Sequence, residues 1–543
     1  MTPAGASPDD DVLADVAGGR TDTPPAAPAA EASPQPAPAS SSYGQILQSS
    51  VLVGGASVFI LAIGILRTKL LALLLGPVGF GLMGAFTSIV DLVVSVAGLG
   101  LSRSAVRRIA EVAETGESRR IAITVTVLRR YALLLATLGA VGMLLLSGPI
   151  ARLSFGDERH KGAVALLSLA VFCKVVAECQ SALMQGLRRI ADFAKIGVLG
   201  AAVGTVASVP LVYLMGPDGV AACVVCIAAA TVLMSWRYSR KVRTETPPVP
   251  APVLREETSA LLHLGVAFML SGLLMMGAAY LVRIILLRQA GLEAVGLFQA
   301  AWTLGGVYVN LVLQAMGADF YPRLVASAKD PASCNRLVNE QTQISLLLAS
   351  AGVVATLVLA PFVLTLFYSS GFTAATDTLR WVCLGMALRV VTWPMGYIIV
   401  ARGEQRLFIL AELAWTVVNV GLTYAAVRLF GLPGAGIAYF LSYAFHAVLI
   451  YAIVRRLSGY RMATLSLRMI VSYSLLIGSC LVAFAMLPAA WAWTLGVAAL
   501  LLACAGSLHH LRQLVPPHAL PHAMRWLLPF WGSAKPADKP GAP

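Results

Sequence analysis

The chain has 543 residues, 58% of them hydrophobic and only 12% charged, with a mean hydropathy of +0.79. A water-soluble domain usually carries about 25% charged residues, so that class is excluded, and the lack of alternating segments of about ten residues excludes a transmembrane β-barrel. The formal charge of +14 is spread over short connections between apolar runs, which orients a membrane protein and does not build a nucleic-acid surface. The class that remains is an all-α polytopic membrane protein.

In chain order, residues 1–42 come first, with the stretch TDTPPAAPAAEASPQPAPASSS. Such a segment cannot bury enough apolar surface to offset its ordering entropy, so a disordered cytoplasmic tail is expected there. Fourteen apolar runs long enough to cross a bilayer come next, at about 50–74, 79–102, 131–152, 162–185, 194–215, 218–236, 260–287, 293–318, 343–367, 378–401, 407–429, 434–454, 464–487 and 490–509. The connections after even-numbered spans hold 24 Lys and Arg residues and the other side holds 9. The positive-inside rule then places both termini in the cytoplasm. The cysteines read as small buried hydrophobes, the CVVC run at 223–226 included.

The chain repeats itself. Gly186, Gly219 and Ala221 align with Gly403, Gly436 and Ala438 at an offset of 217, and an earlier pair of stretches, from Leu66 and Val282, aligns at 215–216. The expected organisation is two six-helix lobes, 43–243 and 259–457, joined by a cytoplasmic linker at 244–258. Two extra spans at 458–511 and a cytoplasmic tail at 512–543 complete it. Six spans per lobe make this a parallel repeat about an axis along the membrane normal, and transporters hold substrate at such interfaces.

Charges inside the spans mark the candidate site, because intramembrane charges face a bundle interior or a water-filled cavity. Lys174 and Arg389 fall near the middle of the fourth span of each lobe. Arg67 and Arg283 are equivalent at offset 216, with Lys69 and Arg288 nearby. All are candidate cavity cations. The competing readings are a local Lys174–Glu178 pair one helical turn apart and snorkelling of the end-of-span cations. A polar stripe, Ser88, Asp91 and Ser95 in span 2 and Gln299, Thr303, Asn310 and Gln314 in span 8, reads as the wall of a hydrated groove, against plain small-residue packing. Asp91, Glu178 and Glu412 are the ionisable candidates for ion coupling. His446 reads as a core histidine, and Asp319 with Arg323 as a structural pair. No metal and no cofactor are expected, since the chain has neither a P-loop nor an acidic pair in a usable loop.

KLLALLLGPVGFGLMG (Lys69–Gly84), GADFYPRL (Gly317–Leu324) and GLPGAGIAY (Gly431–Tyr439) resemble, in order and spacing, the Wzx-type O-antigen and polysaccharide translocases. That family lies within the multidrug, oligosaccharidyl-lipid and polysaccharide exporter superfamily. The resemblance covers about 43–457 and implies alternating access around a central cavity in the bacterial inner membrane. The implied substrate is an undecaprenyl-diphosphate-linked oligosaccharide, and the implied partners are membrane lipid and the polysaccharide polymerase and export machinery. Spans 13 and 14 depart from the family's usual twelve helices and are more like the lipid II flippases. A multidrug–cation antiporter is the rival of similar architecture, though cationic cavity residues suit it poorly. An integral-membrane polymerase or ligase would need larger outer loops than these.

Overall fold

The computed structural model describes residues 39–114, 117–242, 251–328 and 330–514. Most of the expected N-terminal tail, the middle of the linker and nearly all of the C-terminal tail lie outside the described residues. Met1–Ser50 and Val51–Pro543 are separate compact units, and the helical bundle belongs to the second.

The described residues are helical without strands. In order the helices are α1 (Ala39–Ala97), α2 (Leu101–Glu114), α3 (Ser118–Leu145), α4 (Ser147–Phe155), α5 (Lys161–Gly186), α6 (Ile190–Met215), α7 (Val220–Ser239), α8 (Ala251–Ser327), α9 (Pro331–Val358), α10 (Ala360–Phe367), α11 (Thr376–Ala401), α12 (Gln405–Phe430), α13 (Leu432–Ser458), α14 (Thr464–Met486) and α15 (Ala489–Leu514). A helix is what an apolar run must form in lipid, where every backbone donor and acceptor needs an internal partner.

Eleven described segments are long and apolar enough to cross a membrane, and three of them are 43, 50 and 58 residues long. At 1.5 Å per residue the shortest of these three would run about 65 Å as one straight helix, roughly twice the hydrocarbon thickness. Each is broken at a glycine. Gly76 in α1 has φ 61 and ψ −173, and Gly291 in α8 has φ 86 and ψ 177, a region essentially reserved for glycine. The third break is the 3-10 turn Gly216–Gly219 between α6 and α7.

The breaks also expose the repeat. Gly76 and Gly291 are 215 residues apart. Helices α5 and α11, and α6 and α12, are all 26 residues long and start 215 residues apart. Helices α3 and α9 are both 28 residues long, at 213. The structural offset around the α5 and α11 ends is therefore 215 where the letters suggested 217, and at 215 Arg389 is the direct counterpart of Lys174.

Two features differ from the sequence reading. The connection after the second span contains α2, LSRSAVRRIAEVAE, which buries Leu101, Ala105, Ile109 and Val112 along one face and turns Arg107 and Glu111 outward as an i,i+4 pair at 2.8 Å. Helices α3 and α9 begin about a dozen residues before the apolar runs at 131 and 343, because their first turns carry charged and polar residues that a hydropathy window rejects. Near the ends of these spans, α4 and α10 are short separate helices. Helices α14 and α15 pack beside α9, where Gln343 donates to Ser466 at 2.9 Å and Ser350 meets Ser507 at 3.2 Å.

Helix α2 is tied to the start of α8 by Arg108, whose Nη2 and Nε reach the Glu257 carboxylate at 2.6 and 3.0 Å. The Glu257 side chain is only 7% exposed. Breaking a buried bidentate pair leaves an uncompensated charge. Arg108→Ala is expected to cost about 3 kcal/mol, read as a lower unfolding temperature of the purified protein. A double Arg108→Met, Glu257→Met variant should recover most of that loss.

Candidate functional site

A cavity of ≈ 580 Å³ lies within the first half, walled by both segments of α1 and by α2, α5 and α7. Its polar lining includes Arg67, Thr87, Arg103, Lys174, Glu178 and Gln185. A second cavity of ≈ 250 Å³ adjoins it, between α1, α5 and the first segment of α8, and is lined by Asp91, Ser95, Arg103, Glu178, Met269 and Met275 among others. The two share Arg103 and Glu178.

Lys174 sits at their junction. Its Nζ is 2.5 Å from Asp91 Oδ1, and each side chain is 34% exposed. The pair joins α5 to α1 across 83 positions of sequence, so the lysine's partner is not the local Glu178 of the competing reading. Glu178, one turn on, is exposed into both cavities. The pair is water-accessible on one side, where desolvation is partial. An anion that replaced Asp91 there could take the ammonium at modest cost.

Of the other candidate cations, Arg67 lines the larger cavity. Arg283 is turned to its own half: Nη2 and Nε donate to Gln299 Oε1 at 2.6 and 3.1 Å, and Gln299 passes the network to Thr303 at 3.3 Å. Its charge still acts on Asp91 across the interface. Lys69 and Arg288 form a seam between the halves. Lys69 Nζ donates to the Thr365 carbonyl of α10 at 2.8 Å, and Arg288 Nη2 donates to the Arg152 and Leu153 carbonyls of α4 at 3.1 and 2.5 Å. Arg152 and Thr365 are equivalent at 213, so each half lends a cation to the same place on the other. Ser154 and Tyr280, 2.8 Å apart, and Phe80 edge-on to Tyr368 and Phe372 at 5.4 and 5.6 Å fill the same seam.

Arg389 does not line the larger cavity. Its guanidinium meets the Met386 sulfur at 3.9 Å and lies beside Tyr439, Tyr443 and Glu412. The physical reason for the asymmetry is one residue. The 215 counterpart of Asp91 is Gly306, so α8 offers no carboxylate, and the counter-charge comes from Glu412 on α12.

The polar stripe divides. Asp91 and Ser95 reach the second cavity. Ser88 is buried and donates to the Gly84 carbonyl of its own helix at 2.6 Å, so it is a packing residue. Asn310 is half-buried and Gln314 exposed, and neither lines these two cavities. The side chain of Asp319 lies outside the described residues. Sequence reasoning missed Thr87, Arg103 and Gln185. Arg103 was absorbed into the basic connection, and the signal that could have found it is the amphipathic pattern of α2.

Residues 70–377 match a family profile described as polysaccharide biosynthesis protein. The chain is 24% identical over 408 residues to the lipid III flippase of Escherichia coli (strain K12), an alignment covering 73% of this chain and 95% of that one. Among solved structures it resembles an inward-facing MATE family multidrug transporter of the MOP superfamily, with a TM-score of 0.63 and 20% identity over 74% of this chain and 94% of that one. It also resembles the lipid II flippase MurJ in an inward closed conformation, with a TM-score of 0.62 and 12% identity over 86% of this chain and all of that one. At these identities the likeness to the two structures is one of fold.

Proposed function

The chain belongs to the polysaccharide biosynthesis protein family, and from that premise we propose that it is a flippase. Its substrate is an undecaprenyl-diphosphate-linked oligosaccharide repeat unit, moved across the bacterial inner membrane for surface polysaccharide assembly. The observation that carries this reading is the cationic lining of the ≈ 580 Å³ cavity by Arg67, Arg103 and Lys174. A diphosphate is costly to move through hydrocarbon unless charge-assisted donors replace its water. Arg67 and Arg103 offer planar pairs of donors to phosphate oxygens, and Lys174 offers a point charge once Asp91 is displaced. Thr87 and Gln185 can bond sugar hydroxyls. A cavity for organic cations would favour the opposite balance of charge.

In this reading the three glycine-broken segments are pairs of spans, which makes fourteen crossings. The two sets of six rock about the axis between them, and both termini face the cytoplasm. Single cysteines at Asp157 and Ser370 are expected to react with an impermeant maleimide from outside. A cysteine at Ser333 should react only after permeabilisation. The reverse pattern would invert the orientation.

Deletion of the gene in its native host tests the function. Lipid-linked repeat units are expected to accumulate on the cytoplasmic face while surface polysaccharide falls. Unchanged polysaccharide with heightened sensitivity to cationic drugs would favour an antiporter.

A further inference from the structure

We propose that Arg389, Glu412 and His446 form a proton-linked anion site in the second half, in which protonation of His446 draws Glu412 away from Arg389 and leaves the guanidinium to hold a phosphate oxygen. The inference rests on the flippase reading for the identity of its anion, and only for that.

Arg389 occupies on α11 the position that Lys174 occupies on α5. Its contacts are weak for a guanidinium with five donors: the Met386 sulfur at 3.9 Å and the Tyr439 hydroxyl. The counter-charge within reach is Glu412. Glu412 Oε1 is also 3.7 Å from His446 Nε2, beyond a hydrogen bond but inside the range of an ion pair. The His446 side chain is 12% exposed. Neither of its ring nitrogens has a hydrogen-bond partner among the described residues, and the same is true of the indole nitrogen of Trp415 beside it. A buried neutral imidazole with both nitrogens unengaged is poorly stabilised. An imidazolium next to a carboxylate is not.

The surroundings limit the charges that can take part. Helix α13 carries His446 with Tyr439 and Tyr443, whose rings stack on one another and on the imidazole. Against α13 pack α11 with Arg389, α12 with Glu412 and Trp415, and α8 with the uncharged Trp302 on Tyr439. One carboxylate thus serves a fixed cation and a titratable one. Histidine is the side chain whose charge ordinarily changes between about pH 5 and 8. With the imidazole neutral, Glu412 neutralises Arg389. With it protonated, Glu412 pairs with His446, and Arg389 accepts an external anion. Acid therefore tightens anion binding, and the anion in turn favours the proton.

The test uses the full-length protein in nanodiscs and two readouts. The first needs no ligand. An imidazolium quenches an adjacent indole, and the Trp415 and His446 ring centroids are 6.1 Å apart. Tryptophan emission titrated from about pH 5 to 8.5 should show a component that disappears in both His446→Gln and Trp415→Phe. In Glu412→Gln the midpoint should fall, because the imidazolium loses its partner. The second readout is binding of undecaprenyl diphosphate, expected to be about tenfold tighter at the acid end than at the basic end. That ratio should collapse in His446→Gln, which also controls for titration of the probe itself. A His446→Gln protein that keeps the wild-type emission component, or the wild-type pH ratio, overturns the proposal. Wild-type binding with no pH dependence overturns it too, while leaving the flippase reading intact. No binding of the probe at either end overturns both, and the emission component then stands only as a property of the histidine.

Discussion

Lys174→Ala is expected to reduce flipping by a factor of about 30 to 100, which corresponds to the loss of one charge-assisted contact of about 2–3 kcal/mol to a phosphate oxygen. Protein level in the membrane should stay near normal, because both members of the Lys174–Asp91 pair are 34% exposed and the orphaned carboxylate keeps access to water. Asp91→Asn is the informative partner. It removes the intramolecular competitor, so binding of undecaprenyl diphosphate should tighten several-fold while turnover falls, since Lys174 would no longer be reclaimed when substrate leaves. A structural salt bridge makes a different forecast. Both substitutions would then lower the unfolding temperature by similar amounts, and neither would strengthen binding of the diphosphate. In vesicles, the two variants are best compared by the fraction of labelled lipid-linked sugar accessible on each face and by the melting point. Lys174→Arg should retain most activity, whereas Lys174→Gln should behave like the alanine variant.

The fold was legible because lipid leaves a chain few options. Apolar runs of bilayer length must be helices. The starts of α3 and α9 were misplaced by about a dozen residues because polar turns, such as the one carrying Arg119 and Arg120, extend each helix past the apolar zone. The cavity was legible in part. A lysine in the middle of an apolar run has to face something other than lipid, and Lys174 does. Its partner was not legible, because Asp91 lies 83 residues away and the local Glu178 is the stronger candidate on spacing alone. The even-handed pairing of Lys174 with Arg389 was legible at the backbone and not at the side chains. The repeat fixes where a cation stands, whereas the carboxylate that balances it lies on a different helix where position 306 is glycine. Ser88 shows the limit of stripe arguments. Helical spacing puts a serine near a face, but the carbonyl four residues back is always available to its hydroxyl, and Ser88 takes it.

The contact between the halves makes the second large-effect prediction. Gly81 and Gly296 are 215 residues apart, and each lies against the backbone of the opposite half. A Cβ on Gly81 would fall on the Leu292 carbonyl oxygen, and a Cβ on Gly296 on the Pro77 carbonyl oxygen. Pro77 and Leu292 are themselves 215 apart, so the contact is reciprocal, as two-fold related surfaces would make it. Neither side can yield, because the clashing atoms are backbone. The cost should reach or exceed the upper end of the roughly 1–3 kcal/mol typical of overpacking. This contact lies next to the seam formed by Lys69, Arg288, Tyr280 and Phe80, on the outer side in the proposed orientation. Gly81→Ala and Gly296→Ala are therefore expected to prise that seam open rather than unfold the protein, since the rest of each helix bundle is untouched. A cysteine at Ser154, buried in the closed seam, should react slowly with an external maleimide in the parent and at least about tenfold faster in either alanine variant, with flipping largely lost. Gly142→Ala, where nothing lies within 4 Å, and Gly84→Ala, which would meet only the Gln299 side chain at an ordinary 3.6 Å, should leave both rates unchanged. If Gly81→Ala matches these controls, the halves do not depend on backbone contact at this point to close. The seam would then be held by its hydrogen bonds alone.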